Sequence, residues 1–268
     1  MSPSNRFGAS LRALAIALLA CCTFGVAMAQ APAALQGRWV VEQVAVDRDD
    51  AIQRSNEPDD PRLMGGILDI LSDGTIDPSR EDCKRATWRH VGSTTLTRLV
   101  GRNARTSSGK TFTPSLAEYG LSLADATIIT YVALCEPQTR GGRAEPYDGK
   151  NVFASLSKDR MLESNGVDTI LVYSRITPTT PVQPSFACTG TLQDAEKTIC
   201  GSQVLAGLDR SVAAAYKRGR VRLENRKTEI ESLRQSQDAW ILERNRCKTD
   251  DNCLSQSMSA RISELMQQ

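Results

Sequence analysis

The sequence predicts an α+β chain built in two parts: an N-terminal antiparallel β-barrel followed by a disulfide-stapled antiparallel α-helical bundle. Three observations predict it. Short β-branched runs alternate with turn signals as far as Ile176, and apolar residues recur at spacings of three and four from Ser202 onward. Between the two patterns stands Thr177 to Pro184 (TPTTPVQP), whose prolines can join neither a ladder nor a helix. The expected division is a signal peptide over 1–29, a barrel domain over 30–176, a linker over 177–184 and a helical domain over 185–268.

The leader carries the marks of export. Arg6 and Arg12 supply a positive start, Leu14 to Val26 an almost unbroken apolar stretch, and Ala27-Met28-Ala29 a small-residue cleavage site. The alternative is a lipid anchor at Cys21, because Leu18-Leu19-Ala20-Cys21 is similar to a lipobox, in which cleavage exposes a cysteine that then carries acyl chains. No later segment approaches the roughly 18 apolar residues that span a bilayer. The expected location is the periplasm or the exterior, or the membrane surface as a lipoprotein.

Removing the leader also removes the basic balance. The whole chain has 33 Lys and Arg against 31 Asp and Glu, and 33 minus Arg6 and Arg12 leaves 31 against 31. A neutral chain has no electrostatic footprint for nucleic acid, so nucleic acid is not an expected partner.

In the N-terminal part, strands are expected at Trp39 to Val46, Ile67 to Leu71, Thr95 to Val100, Thr127 to Leu134, Asn151 to Leu156 and Thr169 to Ile176. Asp73-Gly74 and Asn165-Gly166 are the hairpin signals between them. Short strands at this spacing predict an all-β barrel or sandwich.

The helical part has four stretches. Thr191 to Ile199 begins with a Thr-x-x-Asp capping pattern, and Ser202 caps a run carrying Leu205, Leu208, Val212 and Ala215. Ile230, Leu233, Gln237, Trp240, Ile241 and Arg244 repeat the period, which returns in Leu254, Met258, Ile262 and Leu265. One apolar stripe per helix predicts an antiparallel bundle.

Of eight cysteines, Cys21 and Cys22 lie in the leader, leaving Cys83, Cys135, Cys188, Cys200, Cys247 and Cys253. An even number in an exported chain predicts disulfides, and six cysteines allow 15 pairings, among which spacing alone does not choose. Cys83 and Cys135, both before the linker, are expected to join across the barrel wall. Cys247 with Cys253 would close the turn Lys248 to Asn252, and Cys188 with Cys200 would tie the incoming segment to the second helix. Each bond stabilises by about 2–4 kcal/mol, which a bundle this small needs.

Two resemblances follow from these residues. Gly37-Arg38-Trp39 at the start of the first strand and Arg175 at the end of the last resemble the lipocalin-type barrel. That likeness implies an arginine lying over the tryptophan at the barrel floor, a contact of roughly 0.5–2 kcal/mol. A core Trp39 with an unrelated surface Arg175 is the alternative.

The stronger likeness covers about Phe186 to Leu265. Four features stand in order: Cys188 and Cys200, Leu205 to Arg210 with Asp209, Ala213-Ala214-Ala215-Tyr216, and then Arg234, Gln237, Trp240, Arg244, Cys247, Cys253 and Arg261. Together they resemble the LprI-type lysozyme-inhibitor family. One departure is Met258, where the family usually has a tyrosine. The resemblance implies a non-enzymatic envelope protein whose partner is lysozyme.

An inhibitor of lysozyme has to fill a cleft floored by two carboxylates, which calls for a rigidly held cation. Two places offer one: the turn with Arg246 and Lys248 beside Asp250 and Asp251, and the run Lys217 to Arg222 containing Arg220 and Arg222. Arg234, Gln237, Trp240 and Arg244 share a helical face and are expected to serve core packing and buried hydrogen bonding. The alternative reading makes the barrel a carrier of a small molecule or lipid, with the helices accessory. An enzyme is not expected: His90 is the only histidine, it lies in a strand-like run, and neither a paired-cysteine metal motif nor a nucleophile elbow occurs. No metal or other cofactor is expected.

Overall fold

The computed structural model of the chain describes residues 30–46, 56–76, 86–101, 115–135, 138–140, 143–145, 151–164 and 169–267. The leader with Cys21, Cys83 and its expected bond to Cys135, and the Asn165-Gly166 turn lie outside these residues.

Nine strands form before the Pro-rich segment among the described residues: β1 Gly37–Val46, β2 Ile67–Ile70, β3 Ala86–Thr95, β4 Thr127–Cys135, β5 Gln138–Arg140, β6 Arg143–Glu145, β7 Val152–Ser157, β8 Arg160–Ser164 and β9 Thr169–Ile176. Seven of them make one antiparallel sheet in the order β2-β1-β9-β8-β7-β4-β3, and β5 pairs with β6 apart from it. Because the first strand pairs with the last, the sheet curls into a half-barrel with β2 and β3 as its edges. The Ala86 N–H donates to the Gly74 carbonyl at 3.0 Å, bringing these edges together at one end.

The expected strand over Thr95 to Val100 is a short helix instead, α1 Leu96–Gly101. Thr95 and Val100 carry β-branched side chains, but Leu96, Leu99 and Val100 stand at helical spacing and all three are buried. The Thr95 hydroxyl accepts from the Arg98 N–H at 3.2 Å, and the Asp125 carboxylate accepts from the Thr97 N–H at 2.9 Å. Strand β8, which follows β7 through a tight turn, lacks β-branched residues and carries no strand signal of its own.

Both faces of the sheet are covered. On one face Trp39, Trp88, Phe153, Met161 and Tyr173 pack into a single buried cluster. On the other, α1 and Leu116, Tyr119 and Leu121 cover Leu162, Ile170 and Val172. Alternation along β9 sends Tyr173 to the first cluster and Ile170 and Val172 to the second.

Four helices follow: α2 Asp194–Gly201, α3 Gln203–Arg222, α4 Lys227–Asn245 and α5 Asp251–Gln267. Helix α2 starts at Gln193 rather than at Thr191, because Gln193 and Glu196 form a reciprocal capping box. Ser202 caps α3 by accepting from the Leu205 N–H. The short turns after α3 and α4 send α4 back antiparallel to both neighbours, so α3 and α5 run the same way. Ile199, Leu205, Val212, Ala215, Leu254, Met258, Ile262 and Leu265 form their common core.

Candidate functional site

The helical unit is held by covalent and ionic ties at one end. Cys188 is bonded to Cys200 and Cys247 to Cys253, the pairing expected from the sequence. Beside them lies a buried polar chain. Asp209 of α3 accepts from the Ser185 N–H at 2.6 Å and faces Arg244 of α4 at 3.3 Å, with both side chains only 5% exposed. Arg244 also donates to Asn245 at 2.9 Å, and Asn245 donates to Gln193 at 3.2 Å. The incoming segment, α2, α3 and α4 are thereby joined through one guanidinium. Burial pushes Arg244 below its ordinary value, while Asp209 pulls it back up.

Four other family-signature residues hold the same helical unit together. Trp240 donates to Ser257 at 3.2 Å and has Arg244 5.4 Å from its ring centre. Arg261 donates to Gln237 at 3.0 Å and Ser236 at 2.9 Å, tying α5 to α4. Met258 is fully buried, and Tyr216 packs against the same core. Arg234 does not belong with them: it is about half exposed and held on the surface by Glu231 at 2.7 Å and Asp238 at 2.6 Å. Arg234 and Gln235 pull the Glu231 carboxyl down to about 2.

The two basic candidates fall at opposite ends of the unit. In the turn, Arg246 pairs with Glu243 at 2.6 Å, and Asp250 accepts from the Cys253 N–H at 3.0 Å as the cap of α5. Lys248 is exposed and holds a left-handed backbone, φ +52°. At the other end, Arg222 donates to the Leu265 carbonyl at 2.7 Å, and Arg220 is exposed.

In the half-barrel, Gly37, Trp39 and Arg175 come together. The Arg175 guanidinium lies 4.0 Å from the Trp39 ring centre and donates to the Lys158 carbonyl at 2.6 Å and the Gln36 carbonyl at 2.5 Å. The buried Trp39 indole donates to the Leu35 carbonyl at 2.8 Å. Gly37 has φ +131°, a backbone that favours glycine, and a side chain there would push the Arg175 guanidinium from its place over Trp39. His90 is an exposed residue of β3, 5.5 Å from the Tyr131 ring. Among the described residues no cluster of His, Cys, Asp and Glu is arranged to hold a metal ion.

A second face of α3, which the sequence reading did not single out, meets the half-barrel. Gly207, Arg210, Ser211, Ala214, Lys217 and Arg218 line it at spacings of three and four. The Ser211 hydroxyl donates to the Met64 carbonyl, and Arg218 donates to the Pro58 carbonyl and pairs with Glu57 at 2.9 Å. Gly65 (φ +72°) and Gly207 touch through their backbones, and a Cβ on Gly65 would stand 2.6 Å from the Gly207 carbonyl oxygen. Asp60 shapes the loop that carries Gly65. Burial raises its carboxyl, but bonds from Arg62 and the Glu57 N–H outweigh that and hold it below the usual range.

The Gly207→Val variant is expected to separate the two parts, since both opposing atoms are backbone and cannot yield. Limited proteolysis would read this as faster cleavage in the 177–184 segment; an unchanged cleavage rate would count against a fixed joint.

Above this joint lies a cleft of about 1010 Å³ between α3 and β1, with Val40, Met64, Pro181, Ala214 and Val221 among its apolar walls. Arg210, Lys217 and Arg222 line it as well.

Comparison with curated proteins and with solved structures found no match. Residues 188–265 match the model of the family described as lysozyme inhibitor LprI. The stretch matched runs from the first cysteine of the stapled unit to the last apolar residue of its core, and the helical unit of this chain is an LprI domain.

Proposed function

We propose that the protein is an exported binding protein of the bacterial envelope that inhibits lysozyme and thereby protects peptidoglycan. The observation that carries this reading is the match of the stapled helical unit to the LprI family. Its two disulfides support a place outside the cytoplasm, where such bonds persist. Among the described residues no helix is long and apolar enough to cross a membrane. The leader reads as cleaved after Ala29, with a lipid at Cys21 as the alternative that would hold the protein at a membrane. Catalysis is no part of the role.

The turn closed by Cys247 and Cys253 is the face offered to lysozyme. With Arg246 held by Glu243 and Asp250 engaged as a cap, Lys248 is its uncommitted cation, on a backbone fixed by the disulfide. A cation on a backbone fixed in this way suits a cleft floored by carboxylates, because the turn itself loses less freedom on entry than an open loop would.

The mature protein titrated into lysis assays with c-type and g-type lysozymes is expected to inhibit at micromolar excess. Lys248→Ala, which leaves the fold intact, is expected to weaken inhibition about tenfold, or roughly 1.4 kcal/mol. Absence of inhibition by the unaltered protein would end the proposal; full inhibition by the variant would remove the turn from it.

A further inference from the structure

We infer that the cleft between α3 and the half-barrel is a binding site for a single-chain anionic amphiphile, an alkyl body carrying a carboxylate. At about 1010 Å³ it stands at the upper end of the roughly 300–1,000 Å³ of small-molecule sites, and it lies where two structural units meet, a usual place for them. Val40, Met64, Ala214 and Val221 supply an apolar wall.

The charge at its edge favours cations, with Arg210, Lys217, Arg218 and Arg222 against Glu42, Glu57 and Asp59. Three acids line the cleft, and each is engaged within the protein. Glu42 is held by Arg160 at 2.5 Å, Glu57 by Arg218 at 2.9 Å, and Asp59 accepts from the Val44 N–H at 3.1 Å. Of the cations, Arg210 and Arg222 donate only to main-chain carbonyls, of Gln183 and Leu265, and Lys217 is exposed. Among the described residues none of these three has a carboxylate in an ion pair. Burial pushes Arg210 below its ordinary value, as expected of a cation short of negative charge, with only Asp209 acting against it. An apolar wall edged by cations without counter-charge takes an anion with an apolar body; a bare anion would leave the wall wet, and a cationic amphiphile would meet like charge.

Titration calorimetry on the full mature chain, with ligands below their micelle concentrations, tests this with three probes: dodecanoate, dodecyltrimethylammonium and acetate. Dodecanoate is expected to bind, and the other two at least about tenfold more weakly. Lys217→Glu, an exposed change that leaves the fold intact, is expected to weaken dodecanoate about tenfold, and Ala214→Trp to abolish its binding by filling the cleft. No binding of dodecanoate, equal binding of the cationic amphiphile or of acetate, or binding unmoved by Lys217→Glu would each overturn the inference. These outcomes are independent of lysozyme inhibition, which the opposite end of the helical unit would deliver.

Discussion

Arg244→Ala is expected to destabilise the helical unit by about 3–5 kcal/mol, because it leaves the buried Asp209 carboxylate without its cation. The loss exceeds that of an ordinary surface pair for a structural reason. Arg244 also donates to Asn245, so its removal loosens a chain that reaches Gln193 at the start of α2. The double variant Arg244→Met with Asp209→Leu removes both charges and is expected to recover much of the loss. Urea unfolding followed by far-ultraviolet circular dichroism checks both. If the single variant unfolds at the same denaturant concentration as the unaltered protein, the pair does not hold the unit together.

Trp39→Ala is expected to cost the half-barrel about 3–5 kcal/mol, the range for emptying a buried aromatic site. The indole is fully buried, and its loss also strips Arg175 of the ring it lies on and Leu35 of the N–H its carbonyl accepts. Trp39→Phe keeps most of the volume and is expected to cost clearly less. Thermal unfolding monitored by near-ultraviolet circular dichroism separates the two; equal midpoints would show that the indole N–H and the Arg175 contact, rather than volume, decide the site.

Much of this architecture was legible in the sequence because it rests on local patterns. The turn at Asp73-Gly74, the cap at Ser202, the apolar stripe of α5 and the spacing of the last four cysteines each carry their geometry within a few residues. What was not legible depends on distant partners. Thr95 to Val100 reads as a strand by β-branching, and only the Asp125 carboxylate and the buried face show it to be α1. Arg234 shares a period with Gln237 and Arg244, yet acids three and four residues away hold it at the surface.

The cleft shows the same limit more sharply. Most of its cations were visible as the basic run from Lys217 to Arg222, but which of them lack a counter-charge depends on Glu42 pairing with Arg160 and Glu57 with Arg218. Two glycines stand inside α3, Gly207 and Gly219, and the cost of a glycine there asks for a reason; for Gly207 the reason is Gly65.

That glycine pair bears on how the LprI domain is presented. Where two backbones meet without side chains no flexible group can give way, so a side chain added at either glycine would act directly on the joint between the half-barrel and α3. Gly65 lies far outside the stretch that matches the family, so a change there would reach α3 from beyond the helical unit itself.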